Sequence, residues 1–168
     1  VVESVSYTTR KPRADEREGV DYHFISKEIF QKKIALGDFL EHVELYGEYY
    51  GTSKQWVEGK KNEGKHVILV IDTQGALKLK GRVSATWIFV RPPSLQELAR
   101  RLEMRQTETQ EKVSERLEWA KHELSVSGEY DYQVVNDDFN VAYDSLRSIL
   151  IAEVHKTKNF RRNNGKTV

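Results

Sequence analysis

The sequence contains no cysteine, which excludes disulfide bonds and thiolate metal sites and gives no indication of secretion. It also lacks an excess of one charge, because 27 lysines and arginines stand against 26 aspartates and glutamates. Nucleic-acid-binding domains usually carry a basic excess, so we expect no nucleic-acid partner. No apolar run is long enough for a membrane span, and no signal peptide precedes the fold. We therefore expect a cytoplasmic protein that does not contact a membrane.

The 168 residues have the length of one domain, and the pattern of strands and helices predicts an α/β fold. The run at 66–72 (HVILVID) is continuously apolar up to its last residue, which predicts a strand buried on both faces in a parallel sheet. Asp72 lies at the carboxyl end of that strand, where open α/β sheets bind ligands.

Two arginines follow a predicted strand within residues 4–13 (SVSYTTRKPR). In that strand Val5 and Tyr7 lie on one side and small hydroxyl residues on the other. A proline then breaks the strand, which leaves Arg10 and Arg13 on a turn. Two guanidinium groups beside small hydroxyls suit a bound oxyanion such as phosphate. A solvated basic turn is the more ordinary explanation of the same residues, so this segment alone does not establish an oxyanion site.

The next segments predict a small sheet with two helices. Residues 20–25 alternate as a second strand, Ser26 caps a helix, and Gly37 ends it. Residues 47–53 (GEYYGTS) are predicted to form a turn bounded by glycines, and Ser53 to cap a short second helix.

Residues 39–46 predict a third strand with an unusual carboxylate. Glu41 shares a face of this strand with Phe39, Val43 and Leu45. A buried carboxylate needs hydrogen-bond donors, because burial without them costs several kcal/mol. Glu41 is therefore a candidate binding residue.

The second half continues the α/β pattern, with a helix over 73–82, strands over 86–90 and 132–136, and a long final amphipathic helix. Capping patterns begin helices at Ser94 and Thr107. These two helices form a hairpin with three arginines at its margins: Arg101, Arg105 and Arg116. Ordinary solvation of a helix surface is the alternative explanation for each of them.

Taken together, the motifs resemble those of the guanylate kinase family, in particular its bacterial enzymes. They occur in family order: SxTTRxPR at 6–13, GxDYxF at 19–24, Glu41 with YYGT at 49–52, IDxQG at 71–75, PPS at 92–94, the three arginines, and VND at 135–137. Each motif is weak alone, but their order and spacing cover the chain from about Ser4 to His155.

The resemblance implies a P-loop-kinase-like three-layer core with a parallel sheet, a small mixed β-sheet lobe for the nucleoside monophosphate, and a helical lid. It implies one guanylate-kinase-like domain over 1–168, with the GMP-binding lobe over 5–65, the core over 66–93 and 128–157, the lid over 94–127 and a flexible tail over 158–168.

The implied activity is transfer of the γ-phosphoryl group of ATP to GMP, giving ADP and GDP, with Mg²⁺ as cofactor and the protein a monomer or homodimer. By the resemblance, the GMP phosphate is bound by Arg10, Arg13, Tyr22 and Tyr50. Guanine is bound by Ser6, Glu41, Thr52 and Asp72. The catalytic lid arginines are Arg101, Arg105 and Arg116, and the ATP-binding residues are Arg101, Arg105 and Asn136. No residue is implied as a metal ligand.

The sequence departs from the family pattern in two places. The family begins with a strand, a Gly-rich Walker A loop and a helix, and none of the three is present in this sequence, which begins at Val1. We expect that such a segment precedes Val1 in the complete protein, and that a chain without it is inactive by itself. The second departure is Val70, where many members carry a carboxylate associated with the metal.

One alternative to an enzyme is a guanylate-kinase-like module that binds phosphorylated peptides through the GMP lobe. Such modules also lack a functional Walker loop. They typically lose the guanine-binding carboxylates or the lid arginines, however, whereas this sequence retains both sets.

Overall fold

The computed structural model describes residues 1–104 and 110–156, and the predicted α/β class is confirmed. The chain divides into two compact units, Val1–Ser84 and a second unit that begins at Ala85. The predicted limits of the GMP-binding lobe, core and lid stay predictions. Among the described residues, no helix is both long and apolar enough to cross a membrane.

The first unit contains a small mixed sheet. Its elements are, in chain order, β1 (Val2–Glu3), β2 (Tyr7–Thr8), β3 (His23–Phe24), α1 (Lys27–Leu36), β4 (Phe39–Leu45), β5 (Glu48–Ser53), α2 (Lys54–Asn62), β6 (Val67–Ile68) and α3 (Thr73–Leu79). Four strands pair in the order β3-β2-β5-β4, with β2 and β3 parallel and the other pairs antiparallel. Strand β1 pairs in parallel with β6.

Helix α1 begins and ends as predicted. The hydroxyl of Ser26 accepts a hydrogen bond from the backbone N–H of Ile29 at 3.3 Å, and Gly37 ends the helix with a φ of 71°. Ser53 caps α2 in the same way, accepting from the N–H of Trp56 at 3.2 Å. Short polar side chains at these positions satisfy backbone donors that the first turn of a helix leaves unpaired.

The predicted turn over 47–53 is wrong, because Glu48–Ser53 is strand β5. The chain reverses within two residues, Tyr46 with φ 53° and Gly47 with φ 76°. Two successive positive φ values are the requirement of a tight hairpin turn. The aromatic and β-branched residues that follow therefore pair with β4 instead of forming a loop.

Two other predicted strands are much shorter in the structure. Residues 20–25 contribute only His23–Phe24, because the N–H groups of Val20 and Asp21 bond to the carbonyl of Arg17 in a turn. The run 66–72 contributes only Val67–Ile68, and Val70 is 69% exposed. Burial on both faces is wrong for this run, since residues 67–69 are only half-buried and Val70 is exposed, whereas the parallel pairing of β6 with β1 agrees with the prediction.

The core of the first unit is formed by apolar side chains from its helices and from β4. Phe30 of α1 is fully buried, and its ring stacks on those of Phe39 and Tyr49 at centroid distances of 4.4 and 5.4 Å. The smaller buried residues are Val43, Val57, Ala76 and Leu79. This packing fixes α1, α2 and α3 against the strands that carry the candidate site.

The second unit contains a parallel pair of strands with helices. Its elements are β7 (Ile88–Arg91), α4 (Leu95–Met104), α5 (Gln110–Ser125), a 3₁₀ turn (Ser127–Glu129), β8 (Tyr132–Val135) and α6 (Phe139–Val154). Strands β7 and β8 are parallel, and the buried side chains are Phe89, Val134 and Ala142. Ser94 caps α4 as predicted, accepting from the N–H of Glu97 at 3.1 Å. The capping residue Thr107 and the tail over 158–168 lie outside the described residues.

Candidate active site

Glu41 and Thr52 form a buried pair across the β4–β5 hairpin. The two residues are direct partners in the register of the strands, just after an irregularity in β4 between Phe39 and Glu41. Thr52 is fully buried and Glu41 is 6% exposed. The Thr52 hydroxyl donates to Oε1 of Glu41 at 2.7 Å. The predicted burial of this carboxylate is confirmed, and its second oxygen remains as an acceptor.

A second carboxylate, Asp72, approaches the same place from the start of α3. Asp72 caps the helix, with Oδ1 accepting from the N–H of Gly75 at 2.8 Å. Its other oxygen, Oδ2, is buried and has no hydrogen-bond partner. A methyl placed on Gly75 would meet both Glu41 Oε2 at 2.7 Å and Asp72 Oδ1 at 3.1 Å, so the two carboxylates converge on this glycine.

The two carboxylates are electrostatically unfavourable in their present surroundings. Burial raises the pKa of Glu41 above its ordinary value, and the neighbouring Asp72 raises it further, while the Thr52 hydrogen bond and Lys78 oppose the shift. Burial also raises the pKa of Asp72, and the N–H groups of α3 oppose that shift. A buried acceptor without a donor is costly. The pair therefore suits a ligand that brings N–H donors.

Arg10 is held by Glu16, a carboxylate that belongs to none of the sequence motifs. Nη1 and Nη2 of Arg10 donate to the two carboxylate oxygens of Glu16 at 2.9 and 2.8 Å. The backbone N–H of Arg13 donates to the same carboxylate at 2.8 Å, and Nη1 of Arg13 lies 3.6 Å from it. Glu16 thus connects both arginines of the predicted oxyanion site. Its only sequence signal is a charged run between two motifs, which carries no information about partners.

Two of the predicted phosphate-binding residues, Tyr22 and Tyr50, lie beside Arg10. The guanidinium carbon of Arg10 is 5.5 Å from the ring centroid of Tyr22, whose ring is 6.1 Å from that of Tyr50.

The Arg10–Glu16 pair is charged on both sides. Hydrogen bonds donated by Arg10 and Arg13 lower the pKa of Glu16, which therefore stays charged at neutral pH. The bonds from Arg10 to Glu16 and to the carbonyl of Lys11 use three N–H groups of the guanidinium. A guanidinium has five, so two N–H groups are not used by these three bonds.

The structure brings seven of the eight predicted GMP-binding residues into these two neighbouring groups: Arg10, Arg13, Tyr22, Tyr50, Glu41, Thr52 and Asp72. The eighth, Ser6, lies between β1 and β2, where its carbonyl accepts from the N–H of His23 at 2.8 Å. Its role in binding guanine stays a prediction.

In the second unit, Arg101 connects α4 to the end of β8. Its Nε donates to Glu97 at 2.7 Å, and its Nη1 and Nη2 donate to the carbonyls of Asn136 and Asp137 at 2.8 and 3.4 Å. Two predicted ATP-binding residues, Arg101 and Asn136, are therefore in contact. Arg116 lies half-exposed on α5, whereas Arg105 falls outside the described residues.

The part of the chain that the structure describes contains no group of three or more histidine, aspartate or glutamate side chains able to hold a metal ion.

A family model described as guanylate kinase matches residues 1–153. The chain belongs to the guanylate kinase family. It is 56% identical to the guanylate kinase of Protochlamydia amoebophila over 156 residues, which cover 93% of this chain and 79% of that relative. It is 47% identical to the guanylate kinase of Clostridium perfringens strain SM101 over 161 residues, which cover 95% and 74% of the two chains.

The crystal structure of guanylate kinase from Anaplasma phagocytophilum is similar in fold, with a TM-score of 0.79 at 38% identity, covering 93% of this chain and 78% of that one. The predicted guanylate kinase family and its fold are thereby confirmed, and the relatives are bacterial, as expected. None of these similar proteins is described as a phosphopeptide-binding module, so they give that alternative no support.

Proposed function

We propose that this member of the guanylate kinase family transfers the γ-phosphoryl group of ATP to GMP, giving ADP and GDP, and that its first unit binds GMP. The observation that carries the proposal is the pattern of β5. Thr52 lies beside a buried carboxylate, and Tyr50 lies beside the ring of Tyr22, next to Arg10. Positions two apart share a face of a strand and lie ~7 Å from each other. One face of β5 thus offers a site for the base and a site for the phosphate.

At the base end, Glu41 accepts hydrogen bonds from N1–H and from the exocyclic amine of guanine. The Thr52 hydroxyl holds one oxygen of this carboxylate in place. Adenine lacks this pair of donors, so bound AMP leaves the buried carboxylate unsatisfied. A site built on such donors discriminates against a ligand without them by ~10⁴-fold. Asp72 supplies a second acceptor through its unpartnered Oδ2.

At the phosphate end, Arg10 and Arg13 neutralise the phosphate of GMP, and the hydroxyls of Tyr22 and Tyr50 donate to its oxygens. Glu16 fixes one edge of the Arg10 guanidinium, so that edge is oriented before the ligand arrives. Charge-assisted hydrogen bonds of this kind are stronger than neutral ones. Together the two ends place the phosphate of GMP for attack on ATP.

Phosphoryl transfer requires mainly positioning and stabilisation of the charge that develops on the transferred group. Arg101, Arg105 and Arg116 are proposed to supply that positive charge, and Arg101, Arg105 and Asn136 to contact ATP. Removal of one such arginine lowers turnover by ~10³-fold or more. Mg²⁺ is proposed to accompany ATP, where the ion neutralises phosphate charge. No protein side chain is assigned as a general base.

The test is a turnover assay of the complete protein with ATP, Mg²⁺ and either GMP or AMP, in which the products are identified by phosphorus NMR. We expect GDP and ADP from GMP, and a kcat/KM for AMP that is lower by ~10⁴-fold. Comparable kcat/KM values for the two nucleotides would contradict the base-binding role of the first unit. Titration calorimetry of GMP against the chain, without ATP, tests the binding site independently of catalysis.

A further inference from the structure

We propose that Gly75 is a positioning residue that determines specificity for guanine, because its lack of a side chain leaves room for the Glu41 carboxylate. The inference rests on the proposed GMP site and extends it to a residue that contacts the base only through Glu41.

The geometry at Gly75 leaves no space for a methyl group. An ideal Cβ built on Gly75 lies 2.7 Å from Oε2 and 3.3 Å from Cδ of Glu41, and 3.1 Å from Oδ1 of Asp72. Favourable contacts between heavy atoms lie at about 3.5–4.0 Å, so the first of these distances is a collision. Gly75 itself is buried. An alanine at this position therefore requires either α3 or the carboxylate to move.

Helix α3 is the less movable partner. The N–H of Gly75 is bound to the capping Asp72 at 2.8 Å, and the neighbouring Ala76 and Leu79 are 4% and 3% exposed in the core. The colliding atom of Glu41, in contrast, is the end of a side chain with rotatable bonds. We therefore expect Gly75→Ala to preserve the fold and to displace the carboxylate of Glu41.

The atom that a methyl at position 75 displaces, Oε2 of Glu41, belongs to the carboxylate that is proposed to bind guanine. The Thr52 hydroxyl donates to Oε1 of Glu41, and the colliding oxygen is the other one, Oε2, which that hydroxyl does not hold in place. Two donors of one base must meet one carboxylate, and such paired hydrogen bonds tolerate little displacement. A shift of Oε2 disturbs the geometry in which the carboxylate meets both donors, so guanine, which has the exocyclic amine, should lose more than hypoxanthine, which lacks it.

Gly59 shows that a glycine within a helix of this protein need not have this role. It lies inside α2, and a Cβ built on it meets no atom within 4 Å. Glycine is less favourable than alanine inside a helix, so helix formation by itself favours alanine at both positions. Of these two helical positions, packing opposes the substitution at Gly75 and not at Gly59, which makes Gly59→Ala a matched control.

The experiment is titration calorimetry of GMP and of IMP against the full chain, with thermal melting followed by circular dichroism. We expect Gly75→Ala to melt as one cooperative transition and to bind GMP more weakly by about tenfold or more, the effect of losing one hydrogen bond to a charged group. The loss for IMP should be smaller, so the preference for GMP over IMP falls. Gly59→Ala should change neither affinity. In a Glu41→Gln background, Gly75→Ala should add little further loss, because the two residues act through one contact.

An unchanged preference for GMP over IMP in Gly75→Ala overturns the inference, as does an equal loss in the wild-type and Glu41→Gln backgrounds. If Gly75→Ala does not fold, the double variant Gly75→Ala with Glu41→Asp decides, because the shorter side chain withdraws the carboxylate from the new methyl. Recovery of folding in the double variant supports the contact between position 75 and the Glu41 carboxylate. A double variant that also fails to fold overturns the inference. Equal affinity of the wild-type chain for GMP and IMP would instead refute the proposed base recognition itself.

Discussion

The two ends of the proposed GMP site differ in how their charges are satisfied. At the base end, Glu41 is buried and Asp72 is half-buried, and Oδ2 of Asp72 is itself buried without a hydrogen-bond partner. At the phosphate end, Arg10 is already paired through two hydrogen bonds with Glu16. One end therefore presents a buried carboxylate oxygen without a donor, and the other presents a paired and oriented cation near the surface.

This difference separates specificity from affinity. An unsatisfied buried acceptor gains most from the ligand that brings the right donors and penalises one that does not. A cation that is already paired gains less from any single anion, but it loses little conformational entropy when the anion binds. The base end should thus decide which nucleotide binds, and the phosphate end how tightly any monophosphate binds.

The largest effect is expected at the base end. Glu41→Gln replaces an acceptor by a group that carries its own N–H donors, so the preference for GMP over AMP, expected to be ~10⁴-fold, should be largely lost. ATP affinity should not change. Competitive nucleotide titrations measure both quantities, and Glu44→Gln, on an exposed position of the same strand, is the control. Equal losses for GMP and ATP would remove the base-binding role from Glu41.

A smaller effect with a different signature is expected at the phosphate end. Arg10→Ala should weaken GMP binding by about 10²-fold, since hydrogen bonds to charged groups contribute about 1.5–3 kcal/mol each. Binding of guanosine, which has no phosphate, should be unchanged. Calorimetry with both ligands separates the two ends, with Lys11→Ala as the control. A matching loss for guanosine would show that Arg10 acts on the fold of the lobe instead.

Removal of the partner of Arg10 should have a still smaller effect. Glu16→Gln keeps the shape of the side chain but weakens its hold on both arginines, so GMP affinity should fall by about tenfold or less. The neighbouring Asp15→Asn, at an exposed position, should leave it unchanged. Tighter GMP binding by Glu16→Gln would mean that Glu16 competes with the phosphate instead of orienting Arg10.

The smallest expected effect concerns stability and pH. Burial raises the pKa of Glu41, so the folded protein binds a proton there more tightly than the unfolded chain does. The free energy of unfolding therefore falls as pH rises from the ordinary pKa of glutamate through the raised one. Glu41→Gln removes this penalty and should stabilise the protein at neutral pH, and by less near the ordinary carboxyl pKa. Urea unfolding at the two pH values checks the sign, and a loss of stability at neutral pH would contradict it.

Much of the fold followed from local sequence signals. Ser26, Ser53 and Ser94 cap helices as predicted, and Gly37 ends one, because capping depends on residues a few positions apart. Strand lengths were predicted less well. The run 66–72 has the composition of a buried strand, yet only Val67–Ile68 pairs, since pairing depends on which segment lies alongside.

For the site, the sequence by itself determined the chemistry: a carboxylate among apolar residues at Glu41, two arginines on a turn, and an aspartate after an apolar run. Only the tertiary structure decided which groups meet. It joined Glu16 to Arg10 and Arg13, and it placed Gly75 of α3 against the Glu41 carboxylate of β4. The physical reason is that residue type fixes charge and hydrogen-bonding capacity, whereas contacts between distant segments depend on strand register and helix packing. Neither of these is encoded in a local motif.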